Sequence, residues 1–228
     1  MLAVANVLGS LVAVFGGLYL LPIAWSLISG DGTFVGFFAA AAINTLFGLA
    51  VAFATRHYRR ELKPRDGFLL VTLACVLLSA SASVPLLLAL PGLSFTDAFF
   101  EAMSGLTSTG ATVLSGLDHL PPSINLWRCA LHWFGGLGFI VLSVAVMPLL
   151  GVGGMQVYRA EYPGRVKDEK LTPRIMQTAK ALWQAYSAMT VGGILLLKSC
   201  GMSWLDAICH GFSVMGLGAF STHDENIA

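Results

Sequence analysis

The 228-residue chain is 56% hydrophobic and only 11% charged, and its mean hydropathy is +0.77. Soluble domains carry about 25% charged residues, so this composition excludes an ordinary water-soluble fold. The formal net charge of +1 conceals strong segregation: Met1 to Thr55 holds one charged residue, Asp31, while Gly67 to Thr96 and Cys129 to Tyr158 hold none.

Each of these stretches exceeds the ~20 apolar residues that cross a bilayer as a helix. The first, Leu2 to Ile28, is too long for a signal-peptide core, and no Lys or Arg precedes Arg56, so it reads as a retained membrane helix. About five spanning helices are expected, at 2–28, 34–55, 67–90, 126–150 and 182–200. Ser29-Gly30-Asp31-Gly32 forms a tight turn between the first two. Most basic residues fall in two loops, one holding Arg56, Arg59, Arg60, Lys63 and Arg65, the other Arg159, Arg165, Lys167, Lys170, Arg174 and Lys180. The positive-inside rule places both loops and the N-terminus in the cytoplasm. Asp31, Asp97 to Asp118, and Asp206 to Glu225 then face outward. Cys75, Cys129, Cys200 and Cys209 form no C-x-x-C pair and read as packing residues.

The segment 91–125 must begin and end outside, yet it contains a short apolar helical run, Phe95 to Leu106, followed by Thr107-Ser108-Thr109-Gly110-Ala111-Thr112-Val113. A run of about twelve residues is too short to span and fits a re-entrant segment. Non-helical backbone at that depth must be buried in protein or line a wet cavity. The arrangement recurs with a constant shift (201 − 92 = 109): Gly92, Ser94, Asp97, Ala98 and Ser104 match Gly201, Ser203, Asp206, Ala207 and Ser213. Both copies open with Ser-x-x-Asp, a helix-capping pattern, and both run into a glycine-containing strand, the second being Gly216-Leu217-Gly218-Ala219-Phe220-Ser221. A short helix entering from outside aims its negative C-terminal end at the membrane centre, which attracts cations. The returning backbone can then offer carbonyls in place of a hydration shell. Two such loops make half a ring, so a full pore needs four.

At these residues the chain resembles the Trk/Ktr/HKT superfamily of potassium transporters, most closely the N-terminal half of its TrkH branch. The resemblance rests on Ser104 to Thr112, His132-Trp133-Phe134-Gly135-Gly136-Leu137-Gly138, Pro148 to Met155, Leu171-Thr172-Pro173-Arg174-Ile175 and Phe220-Ser221-Thr222-His223-Asp224. It implies an all-α integral membrane protein of repeated helix–pore-loop–helix units. Residues 1–55 are then two accessory helices, 67–150 the first repeat, 151–181 a cytoplasmic basic loop, and 182–228 the second repeat through its filter. It further implies potassium as the transported ion, held by filter backbone at Ser108, Thr109 and Gly110 and at Leu217, Gly218 and Ala219, with Thr107, Ala111, Thr112, Gly216 and Phe220 in support. A bacterial inner-membrane location, lipid contact, a homodimer and a cytoplasmic nucleotide-binding regulatory subunit follow from the same resemblance, and no nucleic-acid partner is expected. The chain stops before the later repeats, as a fragment or a split half-pore would. Gly110 aligns with Ala219 where the family has glycine, and Gly218 could substitute only through a one-residue register shift.

Other residues keep two readings. Glu101 either strengthens the cation field or is a hydrogen-bonded structural carboxylate. His132 and His210 read as packing or hydrogen-bonding residues, and His223-Asp224-Glu225 as part of an outer mouth or, less favoured, a metal site. The Gly135-Gly136-x-Gly138 pattern permits close helix contact or a hinge. A membrane enzyme would need convergent catalytic groups within the bilayer, with Glu101 and His210 the pair that would supply them. A membrane anchor could use the basic loop, but it leaves the matched glycine segments unexplained.

Overall fold

The computed structural model describes residues 1–58, 64–146 and 171–225, with side chains described over 1–58, 66–138 and 177–225. The motif Pro148 to Met155, the side chains of Arg65 and Arg174, and the basic residues Arg59, Arg60, Lys63, Arg159, Arg165, Lys167 and Lys170 lie outside the described part. Eight α-helices follow in chain order among the described residues: α1 (Leu2–Gly16), α2 (Leu20–Ser29), α3 (Phe34–Ala54), α4 (Pro64–Ala89), α5 (Phe95–Leu106), α6 (Pro122–Val146), α7 (Leu171–Ser199) and α8 (Trp204–Met215).

The apolar stretch at the N-terminus is one rod in two pieces. A 3-10 turn at Gly17–Tyr19 joins α1 to α2. Pro22 lies in the first turn of α2, where its missing N–H and its ring disfavour a continuous α-helical ladder. Among the described residues, three apolar stretches are long and apolar enough to cross a membrane: Leu2–Ser29, Phe34–Ala54 and Asp66–Ala89. α6 and α7 add long helices of 25 and 29 residues. α7 begins at Leu171, well before the expected span at 182, so Arg174 and Lys180 sit on helix rather than in a loop.

Small residues bring α1 and α3 together. A Cβ on Gly9 would lie 2.8 Å from Ala52 N and 2.9 Å from Gly48 O, so the two backbones touch directly. Asn6 closes the far end by donating to Ala52 O at 2.7 Å. Phe15, Tyr19, Phe37 and Trp127 form an aromatic core joining this pair to α6, with Tyr19 and Trp127 stacked 4.6 Å apart. Pro85 in α4 cannot bond the carbonyl of Ser81, four residues earlier. The Tyr19 hydroxyl donates to that oxygen at 2.8 Å, and Asn44 donates to Tyr19 at 2.9 Å, so the helix interruption is answered by a side chain from α3 through the N-terminal rod. Outward-facing Val35, Phe38, Leu46 and Phe53 remain exposed, as befits surfaces meant for lipid or neighbouring apolar protein.

Asp31 joins the first hairpin to α6. Its carboxylate accepts from the Ser26 hydroxyl at 2.6 Å, the Thr33 hydroxyl at 2.8 Å and the Ser123 amide, in the first turn of α6, at 3.0 Å. Burial acts to raise its pKa, but the hydrogen bonds from Ser26, Ser123 and Thr33 outweigh it and hold the carboxyl well below the usual range.

Candidate functional site

The two short helices start alike. Ser94 and Ser203 cap α5 and α8, each accepting the amide three residues on (Asp97 and Asp206) at 3.1 Å. Each serine hydroxyl donates in return to that aspartate, at 2.7 and 2.6 Å. Gly92 and Gly201 make the turns that precede them, with φ of +93° and +102°.

The likeness continues past the helix ends. Ser104 O accepts from Thr109 N at 2.9 Å, and Ser213 O from Gly218 N at 2.8 Å. The Ser104 hydroxyl donates to Ala111 O at 2.6 Å, and the Ser213 hydroxyl to Phe220 O at 2.7 Å. Ser108 and Leu217 both hold φ at +56°. Every pair keeps the same shift as the caps, so the register is ungapped and Gly110 corresponds to Ala219. Neither segment is a strand, because no extended neighbour offers a ladder; both are irregular turns stabilised by their own helix ends.

Gly110 has φ of +78°, whereas Ala219 does not enter the positive-φ region. In the first copy, left-handed residues therefore occur at both 108 and 110, a backbone that no regular strand adopts. In the second copy only Leu217 is left-handed, and an alanine is accommodated at 219. The two loops touch: a Cβ on Gly110 would lie 2.6 Å from both Cβ and N of Ala219. Leu217, 89% exposed, carries a left-handed backbone that β-carbon sterics disfavour, the kind of strain that marks functional segments.

α6 backs both loops. Its Arg128 is fully buried and donates from Nε to Glu101 of α5 at 2.7 Å. The same guanidinium reaches Asn125 Oδ1 at 3.1 Å, Thr112 Oγ1 at 3.1 Å and Ser221 O at 3.2 Å, and lies 4.4 Å from the Phe220 ring centre. Glu101 also accepts from the Thr112 hydroxyl at 2.8 Å and Val113 N at 3.1 Å. Glu101 is thus a structural carboxylate whose charge is matched by Arg128, not a free contributor to the cation field. One helical turn on, His132 bonds Gly105 O through Nδ1 at 2.8 Å and accepts from Phe220 N through Nε2 at 3.2 Å. Gly135 and Gly136 serve contact: a side chain at 135 would strike Leu106 O, and one at 136 would lie 2.9 Å from Gly216 Cα.

The expected site residues divide accordingly. Ser108, Thr109, Gly110, Leu217, Gly218 and Ala219 lie together on the two facing loops. Thr107 and Thr109 share a hydroxyl contact at 2.8 Å at the start of the first loop. Ala111, Thr112 and Phe220 are tied to the scaffold by the bonds above, and Gly216 packs against His132. Sequence reasoning missed Arg128, although a lone arginine in an apolar helix signals a buried partner, and Glu101 was the acid within the facing short helix.

At the end of the site where α8 begins, His223 bridges the two copies. Its Nδ1 contacts Asp118, and its Nε2 lies 3.3 Å from Asp206, which also accepts the Thr222 hydroxyl at 2.7 Å. Asp224 accepts from Gly116 N at 2.9 Å and Leu117 N at 3.2 Å. The bond from His223 holds the Asp118 carboxyl below its usual range, with the Asp224 amide adding to the effect. The same bond, aided by the Asp206 charge, raises the His223 pKa.

The family model for the cation transport protein TrkH matches residues 35–228. The chain is 47% identical over 226 residues to the Trk system potassium uptake protein TrkH of Vibrio parahaemolyticus, covering 99% of this chain and 47% of that protein. It is 46% identical to the Escherichia coli K12 protein of the same name, again over 99% of this chain and 47% of the relative. The crystal structure of the potassium transporter TrkH from Vibrio parahaemolyticus superposes with a TM-score of 0.85 at 42% identity, covering 98% of this chain and 44% of that one. The chain thus spans less than half the length of these relatives. On the family match and these identities, it belongs to the TrkH family of cation transport proteins.

Proposed function

We propose that this chain is the N-terminal half of the pore of a potassium uptake system, in which the two facing loops supply half of the selectivity filter. The observation that carries the reading is the exact-offset repetition of cap, short helix, serine latch and left-handed residue, with Gly110 set against Ala219. A permeating cation meets the C-terminal ends of α5 and α8 and loop carbonyls that replace its water. Ser108, Thr109 and Gly110 contribute in the first loop, and Leu217, Gly218 and Ala219 in the second. Residues 1–55 act as accessory helices, 67–150 as the first repeat and 182–228 as the second through its filter.

α6 and α7 complete the crossings, with the basic loops and the N-terminus in the cytoplasm of an inner-membrane protein. The assembled transporter is a homodimer whose cytoplasmic loop, 151–181, meets a nucleotide-binding regulatory subunit. The reading assigns no catalytic chemistry to the chain. Rubidium flux into vesicles containing the complete transporter tests it: flux that potassium competes away supports the proposal, and vesicles no leakier than protein-free ones refute it.

A further inference from the structure

We infer that His132 is a positioning residue of the filter: it aims the Ala219 carbonyl and fixes the start of the first loop from a single, neutral tautomer. The inference rests on the pore reading above. Phe220 N can only donate, so the Nε2 atom it reaches at 3.2 Å must carry a lone pair, and the ring proton resides on Nδ1. That Nδ1–H donates to Gly105 O at 2.8 Å, the same carbonyl that receives Ser108 N at 3.0 Å at the left-handed entry to the first loop. Both lone pairs of Gly105 O are thereby engaged. In a trans peptide unit the C=O and N–H point in opposite directions. A Phe220 N–H directed at the His132 ring therefore sends the Ala219 carbonyl away from α6, toward the side on which a cation would pass.

The ring is held to this task. It is fully buried and stacks on Phe220 with centroids 4.2 Å apart and planes 11° from parallel. A Cβ on Gly218 would overlap the imidazole, so the glycine that the second loop needs is Gly218, for a reason different from that of Gly110. Gly110 is demanded by its backbone angle; Gly218 is demanded by the histidine behind it. A single side chain thus sets elements of both repeats, and Ala219 is tolerated because its orientation comes from a hydrogen bond instead of a left-handed backbone.

The test compares potassium-to-sodium uptake ratios in the complete transporter at matched membrane levels. His132→Phe keeps an aromatic ring for Phe220 but removes both hydrogen bonds; two bonds of typical net strength correspond to a fall in the ratio of up to about thirtyfold. His132→Gln, which retains an acceptor, keeps more of the ratio than His132→Phe. Gly110→Ser is the control for the pore reading itself. A normal ratio in His132→Phe beside a reduced ratio in Gly110→Ser overturns the role of His132 and leaves the pore standing. Equal losses in the Phe and Gln variants overturn the aiming mechanism. A normal ratio in Gly110→Ser removes the filter and this inference with it. Should His132→Phe fail to reach the membrane, Gly218→Ala displaces the ring from Phe220 and carries the same comparison, with an unchanged ratio again contradicting the inference.

Discussion

Gly110 is excluded from bearing a side chain twice over, by a φ of +78° and by Ala219, whose Cβ and N would each lie 2.6 Å from an added Cβ. Its partner position obeys neither limit. Ala219→Gly removes a methyl without demanding a new backbone angle, so we predict normal membrane levels and normal potassium uptake for that variant; a collapse of uptake would show that the methyl has a role in holding the loops apart. Leu217 is the converse case: its φ of +56° strains a branched residue in the left-handed region. Leu217→Gly should relieve about 1 kcal/mol of that strain and raise the thermal midpoint of the detergent-solubilised transporter, and an unchanged or lower midpoint would contradict the assignment. The left-handed angle of Gly110 was legible in the sequence, since glycine in a short polar segment after a capped helix advertises an unusual angle. The register of the second loop was not legible. Gly218 and Ala219 differ by one position, and the bonds that decide between them are the Ser213 hydroxyl donating to Phe220 O and the Gly218 amide donating to Ser213 O.

At the scale of elements, α6 is the strut against which both short helices and both loops are set. Glu101 and Arg128 are fully buried and paired at 2.7 Å, so removing one partner strands the other in a poorly solvated site. Glu101→Gln or Arg128→Met alone should destabilise the transporter by about 3–5 kcal/mol. The double variant should lose less than the sum of the two, because no isolated charge remains; additive losses in thermal denaturation would show that the pair does not act as a unit. The lone arginine in an apolar helix signalled a buried partner, but the pairing with Glu101 in particular became visible only in the fold, because the two sit on different helices.

The His223 bridge is expected to respond to pH, with the groups facing His223 being Asp118, Asp206 and His210. Its raised pKa means that its contribution is complete below the ordinary value of 6.5 and is lost as pH rises through the raised value. The lowered pKa of Asp118 means that its contribution is present above 3.8 and is lost as pH falls through the depressed value. The bridge is therefore tightest between these limits. Amide exchange at Gly116 and Leu117, corrected for intrinsic base catalysis, should quicken above the raised His223 value, and His223→Ala should abolish that dependence. A profile identical in the variant would contradict the bridge.

For the whole molecule, apolar runs without charge announced the membrane helices, and the first three were placed to within a few residues. The start of α7 was misread because Arg174 and Lys180 resemble loop charge, yet a helix continues readily past a bilayer surface where such residues find water. The two short capped helices, α5 and α8, were visible because a run too short to span was repeated with its cap at one constant shift. The proposed orientation, basic loops inside, makes a direct prediction: a cysteine placed at 118 in the complete transporter should react with an impermeant reagent from outside, and one at 170 should not. The reverse labelling would invert both short helices and turn their positive ends toward the cation. The central claim, that the segment 107–112 selects the permeating ion, is tested most directly by the potassium-to-sodium uptake ratio of Gly110→Ser at matched membrane level. A side chain there must leave the left-handed angle or displace Ala219, and either shift moves the carbonyls that stand in for water. The account predicts a protein that reaches the membrane with a clearly reduced preference for potassium; an unchanged ratio would contradict it.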